Sequence, residues 1–294
     1  MNSNNLLYFS VLAKELHFGK AAQKLHITQP PLSRAIKQLE EELGVSLLER
    51  NQRTVTLTTA GEYLKRKADL ILQNITAAEK EVKRIAKGEI GDLRITYVGS
   101  VLHSILPPLR SFTRLYPNVH LHLSQYTVYD QLKMLKNEDT DIAFLRTPIH
   151  AKGLHLREIY TENFVLVTSK TQPIISLNEN KALFLLSKLP FIFFPQYLAS
   201  GLYEQIITIC NTIGFSPLIA HEVSELDCIV RMVEDDMGIA ILPKSALLGV
   251  ENRVRLYELD FIKVHSTISI CHRCEYTNPV LQSFINFIVQ NKSH

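Results

Sequence analysis

Residues 18–57 read FGKAAQKLHITQPPLSRAIKQLEEELGVSLLERNQRTVTL, a pattern of short helix, tight turn, longer helix and two-stranded ribbon. In residues 19–25, Ala21, Ala22 and Leu25 share one face, and small residues there let a second helix approach closely. His26 and Ile27 make the turn. Thr28 suits an N-cap, and Pro30 and Pro31 are tolerated in a first helical turn, where backbone N–H groups have no intrahelical partner. The second helix therefore starts near Gln29. Leu32, Ile36, Leu39 and Leu43 form its apolar stripe, and Gly44 stops it. Outward from its N-terminal half come Gln29, Pro30, Pro31, Ser33, Arg34, Lys37 and Gln38, among them the amide and guanidinium groups that hydrogen-bond base edges in a major groove. The acids Glu40, Glu41 and Glu42 are held back from the entering end. VSLLER and RTVTL then read as two strands around Asn51 and Gln52, placing Arg50 and Arg53 on a wing within reach of phosphates or a minor groove.

A plain helical hairpin with a solvated basic face is the competing reading. Against it stands a resemblance: AAQKLHITQPPLSRAIKQLEEELGVSLLER followed by RTVTLTTAGE is similar, nearly position for position, to the N-terminal signature of the LysR-type transcriptional regulators. The likeness extends, mostly in pattern, from about residue 5 to residue 290.

The chain has 294 residues, 46% hydrophobic and 21% charged, a globular composition with room for two or three domains. Residues 1–90 hold 14 Lys plus Arg against 10 Asp plus Glu, the remainder 18 against 19, so the basic excess lies in the N-terminal third. No apolar run reaches membrane-spanning length, and Lys14 and Glu15 interrupt the first apolar pattern, which argues against a signal peptide and for the cytoplasm. Cys210, Cys228, Cys271 and Cys274 are then expected as reduced thiols. Cys271 and Cys274 form a C-x-x-C, but with no second such pair they read as structural rather than redox or zinc residues. The histidines show no metal spacing, and no metal or other cofactor is expected.

Leu6, Phe9, Ala13 and Leu16 mark a first helix that packs behind the helix-turn-helix, closing a domain at residues 1–58. Residues 59–88 then run as one helix in which Leu64, Ala68, Ile71, Ile75, Ala78, Val82 and Ile85 make a heptad seam, roughly 40 Å long at 1.5 Å per residue. The economical partner for that seam is the same helix of a second copy, which would also pair two DNA modules on an inverted repeat. Packing on the chain's own C-terminal domain is the alternative. The resemblance implies the dimer, often assembled into a tetramer.

KGEIGD, residues 87–92, reads as a hinge. Residues 89–294 form the third domain, where a βαβαβ rhythm over residues 93–146 predicts a parallel sheet with right-handed crossovers. A second set follows in NFVLVTSK, LPFIFFP, SPLIAHEV and GIAILP, and STISICHRC returns to the first. The fold class is thus mixed α and α/β: a winged helix-turn-helix, a long linker helix and a two-lobed periplasmic-binding-protein-like domain. Lobe I covers about 92–161 and 267–294, lobe II about 162–266, with crossings near Thr161 and Ser266. In the family this is the effector domain.

Ligands of parallel sheets bind beyond the carboxyl ends of the strands, where helix N-termini present free N–H groups. Those ends carry Gly99, Ser100 and Val101, then Thr127, then Arg146, a fixed cation suited to a carboxylate. Lobe II adds Phe194, Pro195, Gln196, Leu202 and Tyr203. Plain helix capping by Ser100 and Thr127, and a surface ion pair at Arg146, are the bland readings. Together the positions predict a small carboxylate ligand, aromatic or unsaturated. The branch of the family resembling regulators of benzoate, catechol and chlorocatechol breakdown implies the same.

The expected function is a homo-oligomeric DNA-binding transcriptional regulator switched by a small acid. The resemblance implies activation through contact with RNA polymerase. A solute-binding receptor is the alternative, disfavoured by the intact helix-turn-helix. An enzyme is not expected, since G-x-S-x-G, Walker A, H-E-x-x-H and a G-x-G-x-x-G after a strand are all missing.

Overall fold

A computed structural model describes residues 2–50, 54–149, 151–172, 186–198 and 200–290, with the side chains of residues 50 and 200 left out. Two compact units divide the chain at residues 84 and 85.

In the first unit, α1 (Ser3–Glu15), α2 (Phe18–Lys24) and α3 (Gln29–Leu43) enclose Phe9, Leu12, Ala21, Leu32, Ile36 and Leu39, all but excluded from solvent. Two of the expected stripes end one residue early. Leu16 is 41% exposed because it takes a left-handed cap conformation, and Leu12 fills the core in its place. Leu43, 40% exposed at the end of α3, likewise stays outside the core, which Leu39 closes. Thr28 occupies the N-cap position without a side-chain cap hydrogen bond, so the expected cap is only positional; Gly44, at φ 68°, does end the helix.

The ribbon is β1 (Leu48–Arg50) against β2 (Val55–Leu57), antiparallel, with Leu48 opposite Leu57. Its base is tied down twice. Glu40 of α3 accepts the N–H groups of Leu47 at 2.8 Å and Leu48 at 3.1 Å. Thr58 donates to the Ser46 carbonyl at 2.8 Å and accepts the Gly61 N–H at 3.0 Å, capping α4 (Thr59–Ala86). Asp69 of α4 in turn accepts Ser10 at 2.6 Å and Lys14 at 3.0 Å, hydrogen bonds that hold its carboxyl below the ordinary range.

In the second unit, β3 (Ile90–Tyr97), β4 (Asn118–Gln125) and β5 (Ile142–Thr147) are parallel, as the βαβαβ rhythm requires. Helices α5 (Leu102–Leu115) and α6 (Val128–Lys136) are their crossovers. The sheet is not two separate sets, however. Its order is β10–β6–β11–β5–β3–β4, with β9 also on β6, so one mixed sheet runs through both lobes. NFVLVTSK is only the second half of β6 (Leu154–Thr168), whose first half pairs with β11 (His265–Arg273) and whose second half pairs with β9 (Ala240–Pro243) and β10 (Arg255–Glu258). The crossings expected near Thr161 and Ser266 lie side by side in this pairing, Thr161 opposite Thr267 and Glu162 opposite Ser266. The remaining strands and α-helices among the described residues are β7 (Pro190–Phe193) parallel to β8 (Leu218–Glu222), α7 (Ser200–Ile213), α8 (Leu226–Glu234) and α9 (Pro279–Gln290), with 3-10 turns at Gly99–Val101 and Lys244–Leu247.

Each lobe has its own core. One gathers Phe112, Phe144 and Phe284, with Phe284 edge-on to both. The other gathers Phe164, Phe191, Phe193, Ile209 and Val233. The expected hinge is shorter than KGEIGD, because Gly88 turns the chain at φ 68° and β3 begins two residues later.

Candidate functional site

Helix α3 presents Gln29, Pro30, Arg34, Lys37 and Gln38 to solvent, with Pro31 and Ser33 half-buried beside them. The acids are nearer to this face than the sequence suggests. Lys37 reaches Glu41 at 3.5 Å and Gln38 donates to Glu42 at 3.1 Å, each one turn down the helix. Arg34 has no side-chain partner among the described residues. Arg50 sits opposite Val55 in the ribbon, while its side chain and all of Arg53 lie outside the described residues.

The expected ligand positions separate into three groups. Several are core. Val101 is fully buried in lobe I, and Phe194, Pro195 and Leu202 are buried in lobe II. Tyr203 is half-buried with its ring 5.3 Å from that of Phe193. These residues were expected to edge an open cleft, but each apolar side chain gains more from its lobe's core than from solvent. Gly99 is half-buried and Gln196 exposed.

Thr127 and Arg146 form the second group, polar but already engaged. Thr127 caps α6, accepting the Asp130 N–H at 3.2 Å and donating its hydroxyl to the Asp130 carboxylate at 2.7 Å. Its proton is therefore unavailable to a ligand carboxylate in this state. Arg146 is neither the free cation nor the surface ion pair that the sequence offers. Buried at 6% exposure, it donates through Nη1 to Glu162 at 2.9 Å and Ser266 at 2.6 Å. Nη2 bonds the Ser100 carbonyl at 2.9 Å and Ser245 at 3.3 Å, and Nε bonds the Ser100 hydroxyl at 3.0 Å. All five guanidinium N–H groups are thus accounted for. Burial pulls this guanidinium below its ordinary pKa while the charge of Glu162 pulls it back up.

Ser100 makes up the third group. Its oxygen accepts from Arg146, so its own proton points elsewhere and can serve a ligand.

The partners of Arg146 went unread in the sequence. Glu162 accepts from both the N–H of Ser245, at 2.5 Å, and its hydroxyl, at 2.6 Å. The cluster therefore ties lobe I (Ser100, Arg146) to lobe II (Ser245) across the two crossing strands (Glu162, Ser266). A buried arginine demands a carboxylate, and that was the one signal pointing to Glu162. Ser104 Oγ and Gln205 Oε1 are among the five buried polar side-chain atoms without a partner among the described residues. Gln205 donates its amide to the His265 carbonyl at 2.9 Å. One turn before it, Gly201 abuts the Pro148 carbonyl, which a Cβ would approach to 2.9 Å, so the start of α7 closes on the end of β5.

A winged helix-turn-helix, a long helix and a two-lobed α/β domain define a class of DNA-binding regulators, and the comparisons agree. The family model described as "Bacterial regulatory helix-turn-helix protein, lysR family" matches residues 3–62, and "LysR substrate binding domain" matches residues 86–293. The chain belongs to the LysR family and is a DNA-binding transcriptional regulator, not an enzyme. It is 34% identical over 287 residues to the HTH-type transcriptional regulator AlsR of Bacillus subtilis (strain 168), covering 97% of this chain and 95% of that protein. It is 29% identical over 289 residues to ClcR of Pseudomonas putida, covering 98% of each. Full-length CbnR complexed with its target DNA superposes with a TM-score of 0.85 at 25% identity over the whole of both chains. A solute-binding receptor is not supported. No helix among the described residues is long and apolar enough to cross a membrane.

Proposed function

We propose that the chain senses a small aromatic or unsaturated carboxylate in the cleft between the two lobes of its second unit, and that the Arg146–Glu162 cluster couples that event to lobe geometry. The observation that carries this reading is the Ser100 hydroxyl. Arg146 fixes it from behind, its proton is left over, and it sits at the entry to α5, where backbone N–H groups favour an anion. A carboxylate arriving there competes for the guanidinium that Ser100, Glu162, Ser245 and Ser266 share. Binding therefore weights one lobe arrangement over another, as any switch requires.

In this reading, Gln29, Ser33, Arg34, Lys37 and Gln38 meet base edges and Arg50 and Arg53 the backbone. The protein works in the cytoplasm as a dimer through α4, paired further into a tetramer, and activates by contact with RNA polymerase. No cofactor takes part. Calorimetric titration of the full chain with muconate, benzoate and their uncharged amides tests the ligand class. Binding of an acid but not its amide, weakened about tenfold in Ser100→Ala, is the expected result. No binding by any acid would remove aromatic carboxylates from consideration.

A further inference from the structure

Parallel sheets are ordinarily covered on both faces. Here α6 packs Leu135 over Ala143 and Leu145 of β5 and Cys271 of β11, and so lies nearer to β5 than to β3 and the edge strand β4. Alternation along β3 puts Asp92, Arg94 and Thr96 on one face, and the register sets His122 and Ser124 of the edge strand β4 beside Arg94 and Thr96. The hollow over these strands, about 440 Å³, is walled on the helix side by Met134 and at the start of β5 by Asp139 and Thr140. That volume suits a small molecule.

Three features give the hollow its chemistry. Thr96 lines it at 2% exposure, with a hydroxyl that has no partner among the described residues, whereas buried hydroxyls are ordinarily paired. Arg94 is held in a two-point clasp by the buried Asp141, Nε at 3.2 Å and Nη2 at 2.9 Å, which leaves Nη1 without a partner among the described residues. His122 meets Asp92 through Nε2 at 2.9 Å, and its Nδ1 has no partner among the described residues. The hollow thus offers a fixed guanidinium and hydroxyls beside two carboxylates, Asp92 and Asp139. A simple anion would meet those carboxylates, and a simple amine would meet the guanidinium.

We propose that this hollow is a second ligand site, separate from the interlobe cleft and independent of what that cleft binds, which takes a small zwitterion of the amino-acid class. The carboxylate lies on Arg94 Nη1 and the Thr96 and Ser124 hydroxyls, the ammonium faces Asp92 and Asp139, and the side chain rests on Met134.

The test is calorimetric titration of the full chain with each of the twenty L-amino acids, and with propionate and propylamine as single-charge counterparts. At least one amino acid should bind where propionate and propylamine do not. Thr96→Val, which replaces an unpartnered hydroxyl with a methyl of the same shape, should weaken that binding at least fivefold, and Ser100→Ala in the cleft should leave it unchanged. Ser124→Ala, on an exposed edge strand, gives the same readout if Thr96→Val fails to fold. Silence across the amino acids, equal binding of propionate, or binding lost in Ser100→Ala but kept in Thr96→Val would each overturn the proposal.

Discussion

Arg146 Nη1 lies 2.9 Å from Glu162 Oε1 with both side chains buried, and the same carboxylate accepts the N–H and the hydroxyl of Ser245. Every donor around Glu162 therefore points at a group that must be an acceptor. Glu162→Gln keeps the shape but turns an NH₂ toward one of these donors and leaves a buried cation without its counter-charge. Breaking a buried pair from one side costs about 3–5 kcal/mol. We expect a loss of that order by urea unfolding of the full chain. Arg146→Met with Glu162→Leu, which removes both charges, should recover most of it.

Gly61 and the Leu47 carbonyl meet where α4 leaves the ribbon, and a Cβ on residue 61 would lie 2.1 Å from that oxygen. The obstacle is backbone, fixed by Glu40 on one side and Thr58 on the other, so it cannot swing aside. Gly61→Ala should destabilise the DNA-binding unit by about 3 kcal/mol, the upper end for overpacking. Circular dichroism melting of the variant checks this, and an unchanged melting temperature would contradict the contact.

The DNA-binding unit was legible because its signals are local: apolar spacing along α3, prolines in its first turn and Gly44 at its end. What the sequence hid were contacts between elements. Glu40 reads as one of three acids kept away from DNA, yet it clamps Leu47 and Leu48. Arg146 announces a charge, but its partners lie 46 residues back and 16, 99 and 120 residues further on, beyond any periodicity. The first half of β6 went unread because its exposed and half-buried residues alternate, giving no apolar run. Thr127 was read both as a helix cap and as a ligand contact, and the structure shows the cap. The capping pair T-x-x-D was in plain view at Thr127 and Asp130, and it outweighs the ligand reading in this state.

Arg34 is exposed on α3 and has no side-chain partner among the described residues, whereas Lys37 and Gln38 are drawn toward Glu41 and Glu42. A guanidinium bidentate to guanine contributes roughly 1–3 kcal/mol of discrimination. Arg34→Ala should lose that much on a specific operator and far less on random duplex, in fluorescence anisotropy at fixed salt. Equal losses on both would make it a phosphate contact.

Along α4 the seam residues of the C-terminal half are exposed, Ile85 at 48% among them. Ala68 is buried, Ile75 is 37% exposed and Val82 65%. Apolar side chains repeating at heptad spacing on the surface of one chain are what a second helix covers. Val82→Glu should shift the full chain toward monomer in sedimentation velocity, and Glu81→Gln, next to it but off the seam, should not. A mass distribution indifferent to both would place the oligomer contact elsewhere.

His272 of β11 stacks against His155 of β6, ring centroids 4.9 Å apart, and is engaged with the Arg273 carbonyl at 2.7 Å through Nδ1. Burial, the largest influence, and the neighbouring His155 both pull its pKa below the ordinary histidine value, while the Arg273 carbonyl opposes them. The unfolded chain therefore takes up this proton at a higher pH than the folded one does. Stability is full above the unfolded pKa of about 6.5 and falls as pH drops from there toward the lower folded value. The slope from this one group is at most one proton, about 1.4 kcal/mol per pH unit. Urea midpoints measured between pH 7.5 and 5.5 should decline in the native chain and decline less in His272→Gln, because glutamine keeps a donor for the Arg273 carbonyl and has nothing to titrate. Identical slopes in the two chains would show that protonation of His272 does not oppose folding in this range.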